Sequence, residues 1–148
     1  MAIGNSRRAG TLRKIAKVRA ERLAKRKHMV DALEEKTCTP CKGGIPPLSE
    51  EEAEHFQAQL PEWDLVDHAR RIEHTFQFRN FREALKFVQQ VGELAEAERH
   101  HPNVRFGWGY ATVSLQTKKI KGLHENDFIL AAKINRLADR GAAYARVG

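Results

Sequence analysis

Adjacent histidines at His100 and His101, followed at once by Pro102, are the residues best equipped for chemistry. Imidazole has an unperturbed pKa of about 6.5, so it gives or takes a proton near neutral pH, and two neighbouring rings form a candidate acid and base. Pro102 offers no N–H and crowds the residue before it, which pushes His101 toward extended geometry where the upstream helical pattern runs out. The spacing predicts that His100 finishes a helix and His101 leaves it, with the rings pointing in different directions. A second reading fits the same tripeptide: histidine at a helix C-terminus complements the macrodipole and needs no catalytic role. The company favours chemistry. Glu96 lies four residues before His100, on the same predicted helix face, and Trp108, Tyr110, Lys118 and Asp127 follow within a short reach.

Taken together, Glu96, His100, His101, Pro102, Trp108, Lys118 and Asp127 are spaced in a way that resembles the signature of the pterin-4a-carbinolamine dehydratases. The stretches PCKGGIPPL (Pro40 to Leu48) and GLHENDFILAAKIN (Gly122 to Asn135) are also similar to that family, so the resemblance runs from Thr37 to Leu137. One position departs from the pattern. Lys118 stands where the family usually has a third histidine, sometimes a tryptophan, and the departure bears on activity rather than fold.

The resemblance implies an α+β fold: a four-stranded antiparallel sheet with helices packed on one face, assembled into homodimers or homotetramers through sheet edges and helices. It also implies a lyase that converts 4a-hydroxytetrahydrobiopterin to quinonoid dihydrobiopterin and water, in tetrahydrobiopterin recycling, with no metal and no cofactor. The physical problem is to expel hydroxide from C4a while a ring N–H is deprotonated, which calls for a general acid and a general base. By match to the family, His100 and His101 carry proton transfer with Lys118 at the third catalytic position, and Glu96, Pro102, Trp108 and Asp127 bind or orient the pterin.

The residues leave several of these roles open. Trp108, between Gly107 and Gly109, is a candidate flat wall placed beside the histidines, or simply a core aromatic. Asp127 is either a helix-start carboxylate favoured by free N–H groups or a participant in the chemistry. An exposed lysine, with a reference pKa of about 10.4, is a poor base, although its ammonium can donate a proton or hold a carbonyl oxygen.

Composition bounds the alternatives. The 148 residues are 41% hydrophobic and 30% charged, an ordinary composition for one domain with an appendage. No apolar run approaches the ~18 residues of a membrane span and the N-terminus shows no secretory apolar stretch, so a cytoplasmic protein is expected. The net charge of +7 lies entirely in residues 1–36, which hold 11 Lys or Arg and 4 Asp or Glu, against 15 of each in the remainder. That division sets the expected organisation: a basic extension over residues 1–36, helical or disordered, and a domain over residues 37–148.

From Ser6 to Lys36 the extension reads as a basic helix whose Leu12, Ile15, Leu23 and Val30 are too sparse for a strong apolar stripe. Three uses compete: a solvated extension, a contact for an acidic partner, nucleic acid or other anionic surface, and an Arg-rich organelle-targeting segment. A catalytically weakened member acting in binding or assembly through this helix is the alternative to an active dehydratase. Cys38 and Cys41 have the spacing of half a zinc site or a redox pair, but no second pair exists, and reduced thiols in a turn are expected, with His28 or His55 as remote metal ligands.

The elements that must position the site follow from pattern. Ser49 with Glu52 is a capping box opening a helix from Glu50 to Gln59. Trp63 to Asp67 and Arg71 to Phe78 read as strands, the second alternating Ile72, His74, Phe76 and Phe78 on its apolar face. His74 there fits a core edge or a pocket. Asn80 with Glu83 opens a long helix to about Arg99, with a stripe of Phe81, Ala84, Leu85, Val88, Val91, Leu94 and Ala95 that delivers Glu96 and His100 to its last turn. Asn103 to Phe106 is extended, and Tyr110 to Gln116 alternates with Ala111, Val113 and Leu115 on one face. Gly122 precedes a final helix from about Glu125 to Asp139, and a small frayed tail is expected from Gly141.

Overall fold

In the computed structural model, which describes residues 5–40 and 42–145, nine elements follow one another: α1 (Asn5–Glu35), α2 (Glu50–Gln57), β1 (Asp64–Val66), β2 (Arg71–Gln77), α3 (Phe81–Glu98), β3 (Asn103–Gly107), β4 (Tyr110–Leu115), a 3-10 turn (Lys118–Ile120) and α4 (Glu125–Ala145). The strands form one antiparallel sheet in the order β1-β2-β4-β3. This is the α+β architecture expected, including the helical N-terminal extension.

Register puts the apolar alternation on a single face. Leu65 pairs with Ile72, Ile72 with Leu115, His74 with Val113, Phe76 with Ala111, and Val104 and Phe106 with Val113 and Ala111. Helices cover that face: Phe76 and Phe87 have ring centroids 4.7 Å apart, and Phe56 stacks on Phe128 at 5.0 Å. Trp63 is buried just before β1, and its indole N–H donates to Asn135 Oδ1 at 2.9 Å. His74 belongs to the core edge, its ring 4.3 Å from Phe76, and burial pushes its pKa down although Glu62 opposes the shift. The other face is polar but not bare in its middle. Thr112 and Ser114 on β4 are buried, and an ion pair from Arg105 on β3 to Glu73 on β2 spans the strand between them.

Both predicted caps form. Ser49 and Glu52 make the reciprocal capping box, and Asn80 Oδ1 accepts from Glu83 N at 2.9 Å. The buried stripe of α3 is Ala84, Phe87, Val91 and Ala95, whereas Phe81 and Leu85 are exposed. Phe87 therefore replaces the two outer members of the expected stripe. Helix α4 continues six residues beyond Asp139, to Ala145, because a run rich in alanine propagates a helix through the single Gly141. The loose tail expected from Gly141 is thus helical as far as Ala145, and residues 146–148 lie outside the described residues.

Helix α1 is anchored through its C-terminal third, from an ion pair of Arg26 with Glu62 at 4.0 Å onward. Leu33 is buried in the core cluster with Val30 packed against it, and Arg136 Nη1 donates to Glu34 Oε2 at 3.3 Å. Toward the N-terminus, Leu12, Ile15, Val18 and Leu23 are exposed. Among the described residues no helix is long and apolar enough to cross a membrane.

Candidate active site

Helix α3 stops at Glu98, one residue earlier than the pattern suggests, and His100 lies outside it. Arg99 adopts the left-handed conformation (φ 53°, ψ 35°), which lets Arg99 N donate to Glu96 O and His100 N donate to Ala95 O. These two bonds satisfy carbonyls that the helix end would leave open, and Pro102 follows as it commonly does after such a stop. The same turn directs the two imidazoles to different partners.

His100 is buried, with Nε2 2.7 Å from Asp127 Oδ1. Asp127 is fully buried, and its Oδ2 also accepts from Thr117 Oγ1 at 2.8 Å and from His124 N at 2.9 Å. The carboxylate therefore does two jobs: it closes the first turn of α4 onto His124 and holds His100 from behind. The contact to His124 N is that of a helix-start carboxylate, and the same side chain also meets His100.

His101 is exposed, with Nε2 2.7 Å from Glu96 Oε1. Glu96 thus partners His101 and not His100, a correction to the expected shared helix face. The reversal of the chain at Arg99 takes His100 inward and leaves His101 on the side of the helix that carries Glu96.

The two rings do not part onto separate surfaces. With Lys118 they line one concavity of about 690 Å³, whose walls also include Thr37 to Pro40, Glu98, Arg99, Thr117 and Lys119. Lys118 is exposed at the start of the 3-10 turn, which is closed by Thr117 N donating to Gly122 O at 2.9 Å. Gly122 is required by close approach, since a Cβ there would lie 2.5 Å from Pro47 Cβ.

Trp108 is elsewhere. It occupies the turn between β3 and β4 and is 72% exposed, with Gly109 beside it at φ 82°, a turn conformation that favours glycine. Strand β3 runs from the histidines to that turn, and five extended residues span roughly 17 Å. The glycines shape the hairpin and do not fold the indole back onto the histidines, so the expected flat wall does not stand beside them. Pro102 and Glu96 border the site without lining the cavity.

One wall escaped the sequence reading. Thr39 N donates to Asn126 Oδ1 at 3.0 Å while Asn126 Nδ2 donates to Thr39 O at 2.7 Å, and Cys38 N donates to Glu98 Oε2 at 3.0 Å. Lys133 bonds the other oxygen of Glu98, and Lys36 pairs with Glu125. These contacts strap down residues 36–40, and Thr37 to Pro40 form a wall of the cavity. Asn126 and Thr117 adjoin Asp127 and Lys118 in sequence and could have been marked by that adjacency, but the Glu98 and Lys133 pairing has no local signal.

Burial on Glu98 works to raise its pKa, and the hydrogen bonds from Cys38 N and Lys133 outweigh it, so the carboxyl titrates below its usual range. Burial and the Glu98 carboxylate push the Cys38 thiol up to about 12. Cys38 is therefore a thiol, while Cys41 lies outside the described residues. Among the described residues no group of three or more His, Cys, Asp or Glu is placed to hold a metal ion. A larger concavity of about 840 Å³, lined by Phe76, Phe78, Phe87 and Leu137 among others, contains no histidine, so imidazole chemistry belongs to the smaller one.

A helix-backed antiparallel sheet with a paired-imidazole cavity at the exit of its long helix defines the class of protein. The profile described as pterin 4 alpha carbinolamine dehydratase matches residues 46–137. A provisionally assigned pterin-4-alpha-carbinolamine dehydratase of Cupriavidus pinatubonensis is 59% identical over 110 residues, 74% of this chain and 95% of the relative. One of Methylococcus capsulatus, also provisionally assigned, is 58% identical over 107 residues, 72% of this chain and 94% of the relative. Among solved structures, the transcriptional coactivator/pterin dehydratase of Brucella melitensis superposes with a TM-score of 0.59 at 32% identity, over 62% of this chain and 98% of that one. The chain belongs to the pterin 4 alpha carbinolamine dehydratase family. Helix α1 lies outside the matched residues.

Proposed function

We propose that the protein dehydrates a 4a-hydroxytetrahydropterin, 4a-hydroxytetrahydrobiopterin being the family's substrate, to the quinonoid dihydropterin and water. One observation carries the reading: His100 and His101, each held by its own carboxylate, open onto a single cavity together with Lys118. The reaction is redox-neutral and needs one proton taken from a ring nitrogen and one delivered to the departing hydroxide. His100 takes the first, with Asp127 behind it to stabilise the charge the ring acquires, as a carboxylate behind a catalytic histidine does. His101, open to solvent and oriented by Glu96, protonates the oxygen and is recharged from water. The Lys118 ammonium holds the leaving oxygen as its charge develops.

Stopped-flow dehydration of a freshly generated 4a-hydroxypterin tests this. The wild-type protein should accelerate the reaction over buffer, and His100→Ala and His101→Ala should each lose on the order of 10²-fold or more. A rate no greater than that of buffer, or unchanged in both variants, would remove the dehydratase reading.

A second reading, binding through the extension, has its own support. Between Asn5 and Arg26 stand nine Lys or Arg against one Glu, and Arg13, Lys14, Lys17, Arg19 and Arg22 fall at five different azimuths of a 3.6-residue helix. A membrane-surface helix needs its charges on one face, whereas a nucleic-acid groove presents phosphates on both sides. Fluorescence anisotropy with a DNA duplex across a salt series should show binding that weakens steeply with salt and disappears when residues 1–26 are removed, a cut that spares the docked Val30 and Leu33. Binding retained after that cut would overturn it.

A further inference from the structure

The cavity carries more positive charge than a pterin ring calls for. Arg99, Lys118 and Lys119 all line it with His101, while its one carboxylate, Glu98, is already bonded by Lys133 and by Cys38 N. The pterin ring system is uncharged near neutral pH and Lys118 is committed to the leaving oxygen, so the guanidinium of Arg99 has no use in holding the ring. A volume of about 690 Å³ lies in the range that takes drug-sized ligands, leaving room beyond a bicyclic ring for a substituent.

Arg99 adds an independent observation. Its backbone is left-handed, at the helix stop where glycine is the common choice because a Cβ is penalised there. The chain nonetheless carries an exposed arginine at that position, and it lines the cavity.

We propose that the site selects pterins whose side chain bears an anion, a carboxylate or a phosphate, gripped by Arg99 while the ring lies against the histidines and Lys118 holds the leaving oxygen. This rests on the pterin reading above and adds to it the class of substrate. Guanidinium matches either anion through two parallel hydrogen bonds.

Fluorescence titration with three unreactive pterins tests it: 6-hydroxymethylpterin, its phosphate ester, and pterin-6-carboxylic acid. At least one of the anionic pterins should bind about tenfold or more tightly than the neutral one, the worth of a charged hydrogen-bonded contact, and the preference should shrink as salt is raised. Arg99→Gly should raise the melting temperature by relieving the backbone and should cut the preference about tenfold. Arg99→Asn, which tolerates the same backbone, should cut it equally. Which anion binds more tightly then names the substituent. Equal affinity for all three, or a preference that survives both variants, overturns the proposal and leaves the pterin reading standing. No binding by any of the three overturns both.

Discussion

His100 Nε2 and Asp127 Oδ1 are 27 positions apart in sequence and 2.7 Å apart in the core. The bond ties the exit of α3 to the first turn of α4, so the position of the buried imidazole depends on where two helices meet. Asp127→Asn tests what the bond does. The amide can turn an oxygen to only part of the donor set formed by His100 Nε2, Thr117 Oγ1 and His124 N. Stability should fall by about 2 kcal/mol, read from urea unfolding. Dehydration should fall by roughly 10²-fold beyond any loss of folded protein. Activity that tracks the folded fraction alone would reduce Asp127 to a helix cap.

Lys118 lines the cavity beside the two histidines. Replacing it by histidine puts a group with an intrinsic pKa of about 6.5 where a primary ammonium stands, so proton exchange near neutral pH becomes available. Lys118→His is expected to raise the single-turnover rate several-fold and to add an ionisation near neutral pH to its pH profile. A lower rate with no new ionisation would mean that the ammonium's hold on the leaving oxygen is worth more than an imidazole at the same place.

Asn126 holds the strap through two bonds to Thr39 and is almost completely buried. Asn126→Ala leaves the Thr39 backbone groups without their side-chain partners and should cost about 2 kcal/mol. With the wall loosened, the Michaelis constant for a 4a-hydroxypterin should rise more than the turnover number falls. Equal falls in both would point to a disturbed histidine and not to the strap.

Glu98 and Cys38 give the site a pH signature. The folded pKa of Glu98 lies below its unfolded value, so its contribution to stability is present above the unfolded pKa and is lost as pH falls through the folded one. Glu98→Gln should therefore flatten the acid limb of the urea midpoint plotted against pH. For Cys38 the sign reverses: with the folded pKa raised from 9.0 to about 12, stability is full below 9 and declines as pH climbs toward 12. In a Cys41→Ser background the remaining thiol should react with iodoacetamide far more slowly in folded than in unfolded protein at mildly alkaline pH. Equal rates would contradict a half-buried thiol held in its neutral form.

Much of the scaffold was legible because it rests on local rules. Ser49 with Glu52 and Asn80 with Glu83 announce their helices through backbone N–H groups only a turn away. The alternation of Ile72 and Phe76, and of Ala111, Val113 and Leu115, settles which side of each strand faces the core. The errors fall where distance along the chain says nothing. Phe87 belongs to the buried stripe because Phe76 and Phe78 meet it across the layer, with ring centroids 4.7 and 5.0 Å away, while Phe81 turns outward toward Phe106. Trp108 satisfies the family spacing yet lies at the far end of a strand from the histidines.

By itself the sequence determined the family, the order of the elements, the helix exit at the histidine pair and the segregation of charge into the first 36 residues. All of these are properties of residue type and near spacing. Only the tertiary structure decided that Asp127 serves His100 while Glu96 serves His101, that Thr39 and Asn126 close a wall, and that Arg99 reaches the cavity from a left-handed turn. Those depend on how α3, α4 and the strap approach one another, a packing of distant segments that no local pattern encodes.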